Sequence, residues 1–538
     1  MKRSLKKISA LISFGTFLSK AGGMARQIVI AGFFGVGTAY DAYNYAYILP
    51  GFFLILIGGI NGPLHNAIVS VLSKAQKKDG AYIVSSINTY ILITLLFISL
   101  ILYLNADLII TIFGPGLTNK THDIAVMQLQ IMSPVILLSG LIGIGFGSLN
   151  ARDEFFLPSI SPLISSLVII TGVSFFWLYQ KPNISVINLP IESGIVLAKA
   201  TLIGAILQLI IQIPFLKKKG LLKFKFNFDT EHSAIKEVWK IIIPATLSSG
   251  MLQINVFTDL FFASNILGAA AGLSYANFIV QAPLGIISNS IIIPLLPTFS
   301  KLFHNDNNKD LIRRVRQGII FSASSMIFLG SIFIALNQSV TEICFGRGVF
   351  DTTAIKLVSG LLICYGIGMP AYLIRDLLVR VFYTLGDAKT PFKISTIGII
   401  LNIFLDWLFI GCPTPWTNQI GINFGANGII LATVGVNIFT CILLLLKLKI
   451  RLVEIPLKKW GFEIGKLLTC GIISGYIAWR INSITLIPVN NFLLEVMQLI
   501  FSITISFCTY CLLSNILGIK EVQELTKIFK LKAVNCLK

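Results

Sequence analysis

The sequence predicts an all-α polytopic membrane protein: about 14 transmembrane helices, forming two pseudo-symmetric six-helix lobes plus two C-terminal helices. Three observations carry this. Apolar runs of about twenty residues or more recur along the 538-residue chain. Basic residues gather between alternate runs, and turn residues of the first half return at matching intervals in the second. A chain that is 55% hydrophobic and only 12% charged, with a mean hydropathy of +0.84, has far more apolar surface than a soluble fold of this length can bury.

The runs fall at 8–34, 42–72, 81–104, 123–149, 156–178, 193–214, 238–264, 268–299, 317–336, 354–384, 391–411, 424–446, 463–480 and 493–517. The opening Met1-Lys2-Arg3-Ser4-Leu5-Lys6-Lys7 has the charge of a signal peptide. Its apolar run continues to Phe34 without an Ala-x-Ala-like site before Lys20, which makes it an uncleaved first helix. With both termini in the cytoplasm, 33 of the 43 Lys and Arg lie in cytoplasmic segments, including Lys217 to Lys240, Lys301 to Arg316 and Lys447 to Lys466. The opposite loops hold only Lys120, Lys181, Arg347 and Arg480. One miscounted span would invert every later loop and erase this bias, so the topology is even-numbered. The net charge of +20 is therefore a topology signal, aided by anionic lipid, and not a nucleic-acid footprint.

The repeat follows from turn residues. Gly35 to Pro50 and Gly268 to Pro283 are equally long, each with an Asn (Asn44, Asn277) six residues before its Pro. Pro50 to Pro158 and Pro283 to Pro391 are both separations of 108 residues. Two copies of six spans share one orientation, as in transporters that alternate access between two lobes. The expected organisation is a first lobe over 1–214, a basic cytoplasmic linker over 215–237, a second lobe over 238–446, and two further spans with a basic tail over 447–538. Gly58-Gly59, Pro63, Pro134, Pro244, Pro283 and Pro294 mark bends.

No enzyme, metal or cofactor signature stands out. The eight cysteines, Cys508 and Cys511 included, read as small apolar core residues, and His65, His122, His232 and His304 show no ligand spacing. Without a phosphate-binding loop, transport would be secondary, driven by a gradient, the membrane potential or the substrate.

What remains are ionisable residues within spans: Lys20, Arg26, Asp41, Lys199, Asp259, Arg375, Asp376, Arg380 and Asp406. A charge at that depth costs about 2.5–3.5 kcal/mol on insertion scales and usually faces a watered, protein-lined cavity. Lys20 and Arg26 flank Gly22-Gly23, a bend or close-packing point, which suggests an anion site; snorkelling or ion-paired side chains are the alternative. Asp41 is either an exposed cap at the outer start of span 2 or the partner of Arg26. Lys199 either pairs across the bundle, for instance with Asp259, or adds to a cationic cavity. Asp376 and Arg380 have the spacing of an intrahelical ion pair. The first lobe's buried charge leans positive, which favours an anionic substrate over a cation.

These residues bring a family into view. Leu18-Ser19-Lys20 with Arg26, Phe34-Gly35 with Asp41-Ala42-Tyr43 and Leu49-Pro50, and Ile293-Pro294-Leu295-Leu296-Pro297-Thr298-Phe299-Ser300-Lys301 resemble the MurJ (MviN) lipid II flippases of the multidrug/oligosaccharidyl-lipid/polysaccharide exporter superfamily. Leu207-Gln208-Leu209 ahead of Pro214, and Arg380-Val381-Phe382-Tyr383 with Asp387, Lys389, Thr390 and Pro391, extend the resemblance over most of the chain. It implies translocation of undecaprenyl-pyrophosphoryl-linked peptidoglycan precursor across the bacterial inner membrane, with no cofactor and no nucleic acid. It further implies first-lobe cations at the pyrophosphate, a lipid-tail groove along the last two helices, a monomer, and cell-wall synthesis proteins as candidate partners. Arg26 and Asp41 match the family directly, Lys20 stands at a usual arginine, and Asp259 fits an acidic position of span 7. Two family arginines are replaced, by Leu54 and Phe278, so Lys199 or Arg375 compensates or the substrate differs. The expected site is thus Lys20 and Arg26 on the pyrophosphate, Asp41 gating or pairing with Arg26, and Lys199, Asp259 and Arg375 in support. Export of another polyprenyl-linked saccharide or lipid, a non-transporting scaffold and a membrane-embedded transferase are the alternatives.

Overall fold

In the computed structural model, the described residues are 5–59, 62–74, 76, 79–180, 187–222, 227–228, 233–304, 308–411, 422–452, 455–484, 492–519 and 523. The basic tail from Lys520, apart from residue 523, and residues 223–226 and 229–232 of the basic linker lie outside them. The described residues are helical apart from short connections, with one isolated β-bridge between Ile410 and Asn423.

The chain divides into two compact units. The first runs to Ala271 and includes residues 347–350; the second holds Gly272–Gly346 and the chain from Asp351. The first unit contains α1 (Leu5–Phe34), α2 (Thr38–Leu56), α3 (Pro63–Lys74), α4 (Gly80–Leu104), α5 (Ala106–Phe113), α6 (Asn119–Met132) and α7 (Pro134–Asn150). It continues with α8 (Phe156–Phe175), extended by a π-turn over Phe176–Gln180, α9 (Leu189–Ile210), α10 (Gln212–Lys218) and α11 (Ser233–Ala263). The unit boundary falls in the first turn of α12 (Ala269–His304). Beyond it come α13 (Asn308–Ala335), α14 (Asn337–Phe345), α15 (Thr352–Thr384), α16 (Lys389–Phe409), α17 (Ala426–Arg451), α18 (Leu457–Ile484) and α19 (Phe492–Ile516).

Ten stretches among the described residues are long and apolar enough to cross a membrane. They are α4, α6 with α7, α8, α9 with α10, α12, α13, α15, α16, α17 and α19. The other four predicted spans are helical too, as α1, α2 with α3, α11 and α18, but fall outside those ten. The all-helical membrane fold is as the sequence predicts, with ten such stretches among the described residues.

Proline position decides where helices break. The helix α2 ends at Leu56 and α3 starts at Pro63, and the chain breaks again at Ser133-Pro134, where the second proline starts a new helix and its missing N–H costs nothing. At Pro283 and Pro294 the helix α12 runs on, because in a membrane bundle neighbouring groups can satisfy the freed carbonyl. The first break is held by close packing: a Cβ on Gly143 of α7 would come within 2.0 Å of the Ile57 carbonyl oxygen. Only glycine admits α7 so close to that backbone.

Within the first unit α1 packs on α8, α8 on α9, α2 on α6, and α4 and α3 on α7. The buried faces of α3, α4 and α7 contribute Leu64, Ile68, Ile83, Ile87, Ile136 and Ile144 to an apolar core. In the second unit α13 packs on α15 and α18, and α17 on α15 and α16. Gly330 and Gly366 let α13 and α15 touch backbone to backbone, a Cβ on Gly330 meeting the Gly366 carbonyl oxygen at 2.3 Å.

Candidate substrate site

The helix α1 is continuous through Gly22-Gly23, and the two glycines do different things. A Cβ on Gly22 would strike Leu163 Cδ1 at 2.1 Å, so Gly22 seats α1 against α8. A Cβ on Gly23 would meet nothing within 4 Å, so that face is open. At about 100° per residue, Lys20, Gly23 and Arg26 sweep an arc of about 120° with Gly23 at its centre. Lys20 is exposed, and Arg26 is half-buried. The glycine pair is a packing point on one side and a clear arc between two cations on the other.

What faces this arc comes from α2. Tyr40, Tyr43 and Tyr47, spaced three and four apart, stack along one face, with ring centroids 5.9 Å apart for the first pair and 5.3 Å for the second. Gln27 Nε2 donates to the Tyr40 hydroxyl at 2.7 Å, which ties α1 to α2. The Tyr43 hydroxyl lies 3.0 Å from Thr201 Oγ1 on α9. Thr201 already donates to the Leu197 carbonyl at 2.8 Å, so Tyr43 is the donor. The Arg26 guanidinium acts electrostatically on both Tyr43 and Tyr47.

Arg26 is the unusual member. Its Nε is enclosed without an acceptor, and among the described residues it makes no hydrogen bond or ion pair. A guanidinium held away from bulk water normally finds a carboxylate, since its donors are costly to leave unmade. The Tyr47 hydroxyl likewise has no hydrogen-bond partner among the described residues, and its ring lies over Gly51, where a Cβ would come within 2.5 Å of it. The tyrosine row was visible in the sequence as a helical spacing, but a stripe of aromatics reads as core until its hydroxyls are placed.

Asp41 is fully buried and lies at the opening of α12, not beside Arg26 in any ion pair. Its two carboxylate oxygens accept from the backbone N–H groups of Gly268, at 3.3 Å, and Ala271, at 3.0 Å. A carboxylate on the first amides of a helix meets both their unsatisfied N–H groups and the positive end of the helix dipole. Lys199 is exposed on α9, two residues before Thr201. Asp259 is half-buried on α11, one residue before Leu260, whose carbonyl accepts from the Tyr45 hydroxyl at 3.1 Å.

The second unit holds Arg375 differently. Arg375 Nη1 donates to Asn437 Oδ1 of α17 at 3.1 Å. Its neighbour Asp376 accepts from Arg380 Nε at 3.2 Å, the pair expected from their spacing, and from Ser288 Oγ of α12 at 3.3 Å. Asp406 is buried on α16 and accepts from Asn402 Nδ2 at 2.7 Å. A separate apolar groove of about 470 Å³ lies between α13, α15 and α18, lined by Ile327, Ile334, Ile367, Ile472 and Trp479 among others. Among the described residues no group of His, Cys, Asp or Glu has metal-binding geometry.

An all-helical fold in which ten stretches among the described residues are long and apolar enough to cross a membrane, with a cationic arc on α1, defines a multi-pass membrane protein. The comparisons narrow the class. The fold matches an inward-facing multidrug resistance MATE family transporter of the MOP superfamily at a TM-score of 0.64 and 12% identity, covering 81% of this chain and 95% of that one. It matches a lipid II flippase MurJ in an inward closed conformation at a TM-score of 0.73 and 26% identity, covering 94% and 98%. The probable lipid II flippase MurJ of Synechocystis sp. is 45% identical over 480 residues, 89% of this chain and 88% of its own. The model of the family described as lipid II flippase MurJ matches residues 30–498. The chain belongs to the lipid II flippase MurJ family.

Proposed function

We propose that this chain flips lipid II, the undecaprenyl-pyrophosphoryl-linked peptidoglycan precursor, across the bacterial inner membrane by alternating access between two lobes of six spans over 1–214 and 238–446, with both termini in the cytoplasm. The observation that carries the reading is Arg26, a half-buried guanidinium beside an open helix face with no partner of its own among the described residues. A pyrophosphate supplies the missing acceptor, since guanidinium and phosphate pair through charge-assisted, often bidentate hydrogen bonds. Lys20 adds a second positive charge across the Gly23 arc, and Tyr47 supplies a hydroxyl donor. Lys199 extends the cationic set in place of the family arginine replaced by Leu54.

Asp41 gates the outer side: its hold on the α12 amides fastens one state, and loss of those two hydrogen bonds accompanies the other. The apolar groove along α18 suits the polyprenyl tail, which then stays in hydrocarbon while the headgroup crosses. Asp259 stands on α11 one residue before Leu260, which accepts from Tyr45 of α2, and Arg375, already held by Asn437, supports the second lobe. Cell-wall synthesis proteins are the candidate partners of a monomeric transporter.

Complementation tests this reading. A bacterium depleted of its own lipid II flippase and expressing this chain should regain externally accessible lipid II and survive. Arg26→Ala should insert normally yet fail to rescue, and full rescue by that variant would remove Arg26 from the site. Failure of the parent chain despite good membrane expression would move the substrate to another polyprenyl-linked saccharide.

A further inference from the structure

A second groove, of about 260 Å³, lies in the first unit far along the chain from the cationic arc, between the start of α4, the second half of α7 and the α9–α10 junction. Leu92 of α4, Leu141 and Ile144 of α7, and Ile213 and Leu216 of α10 give it an apolar wall. Polar groups sit toward the α4 start: Ser85, Asn88 and Thr89. Asn88 makes no hydrogen bond among the described residues, and its Oδ1 is enclosed without a donor. A polar amide left unmade inside an apolar wall points to an occupant that is apolar for most of its length and hydrogen-bonding at one end.

The chain after α10 closes this end. Leu221 and Leu222 line the groove. Asn227 is tied to α4: its backbone N–H donates to Thr89 Oγ1 at 3.0 Å and its side-chain amide to Ser86 Oγ at 2.7 Å. The Tyr90 hydroxyl donates to the Phe228 carbonyl at 2.6 Å.

The charge at this rim is positive and uncommitted. The carboxylates of Glu154 and Glu237 are taken by Lys219, at 3.9 Å, and Lys74, at 2.8 Å. Lys217 and Lys218, in the last turn of α10 directly after the lining residue Leu216, are exposed and have no partner among the described residues. Arg152 adds an enclosed Nη2 without an acceptor, beside Gly80 and the lining residue Leu221. The carboxylates of Asp79 and Asp153 are exposed on neighbouring turns and remain the opposing charges.

We propose that this groove is a site for an anionic phospholipid of the leaflet that faces the basic loops. One acyl chain lies along the Leu92–Leu141–Ile144 wall, a headgroup hydroxyl donates to Asn88 Oδ1, and the phosphate sits between Lys217 and Lys218. Charge complementarity selects the occupant: a zwitterionic lipid could fill the wall but would gain nothing net from two unpaired lysines. Because Leu221 and Leu222 line the groove, a bound lipid would also contact the chain directly after α10.

The test is lipid retention by the purified full-length protein, read by native mass spectrometry in detergent after exchange with dioleoylphosphatidylglycerol or dioleoylphosphatidylcholine. Phosphatidylglycerol should be retained about tenfold or more over phosphatidylcholine, from two lysines near the surface. Lys217→Gln with Lys218→Gln should bring phosphatidylglycerol down to the phosphatidylcholine level. Both lysines are exposed, so that variant keeps the fold. Leu92→Trp, which fills the wall, should lower retention of both lipids. Equal retention of the two lipids by the parent, or unchanged selectivity in the double lysine variant, would overturn the proposal. Neither result bears on Arg26, so the flippase reading stands or falls separately.

Discussion

Arg26 in the first unit and Arg375 in the second are both arginines within apolar helices, and the protein treats them in opposite ways. Arg375 has its guanidinium on Asn437, and its neighbours Asp376, Arg380 and Ser288 form a closed set of hydrogen bonds. Arg26 lies beside tyrosines whose uncharged hydroxyls cannot neutralise it, on a helix face that Gly23 leaves clear. The cost of a charge in a membrane protein is met internally in one case and left for a ligand in the other. A cation's surroundings, rather than its presence in a span, separate a binding group from a packing group.

The contrast is breakable at several points. The largest effect is expected at Arg26: Arg26→Ala should weaken substrate binding by about tenfold to a hundredfold, the worth of about 1.5–3 kcal/mol for a hydrogen bond to a charged group, measured as lipid II binding to the purified protein. Arg375→Ala should instead lower stability, because the buried Asn437 loses its donor, by about 1–3 kcal/mol in thermal unfolding, with binding close to the parent. Binding losses of equal size in both variants would erase the distinction and return Arg375 to the substrate set.

Tyr47→Phe removes a hydroxyl that has no protein partner among the described residues. It should leave stability unchanged while binding falls by about fivefold, the worth of about 1 kcal/mol; a stability loss without a binding loss would make Tyr47 a core residue. Tyr43→Phe should do the reverse, breaking the bond to Thr201 and costing about 1 kcal/mol of stability.

The smallest effect belongs to Asp387, in the turn between α15 and α16. The Thr390 backbone N–H and hydroxyl donate to it, and Arg451 lies at 2.9 Å, which holds its carboxyl below the usual carboxylate range. The group is therefore deprotonated more readily in the folded state. Its stabilisation is present above the ordinary carboxylate pKa and is lost as pH falls through the lower folded value. A pH titration of thermal unfolding should show Asp387→Asn less stable than the parent at neutral pH and the gap closing in acid.

Much of this was legible in the sequence because membranes impose simple rules. Hydrocarbon forces backbone groups to pair within a helix, so the described residues of the apolar runs are helical apart from short connections, with α2 ending before Gly58-Gly59, α3 beginning at Pro63 and α7 at Pro134. Lys20 and Arg26 stood out because charge is rare at that depth. The i,i+4 pair of Asp376 and Arg380 needed only helical geometry. Pro283 and Pro294 were less legible: a proline breaks or bends a helix according to what surrounds its freed carbonyl, which sequence does not state.

The sequence by itself determined the class of protein, the positions of its helices and the set of charges available to a site, since each follows from local composition and period. Only the tertiary structure decided which charges are taken. Asp41 went to amides 227 and 230 residues away and Arg375 to an asparagine 62 residues on, while Arg26 stayed unpaired beside a row of tyrosines. Hydrogen bonding acts over about 3 Å, and which groups come within that reach is settled by how helices pack, not by their order along the chain.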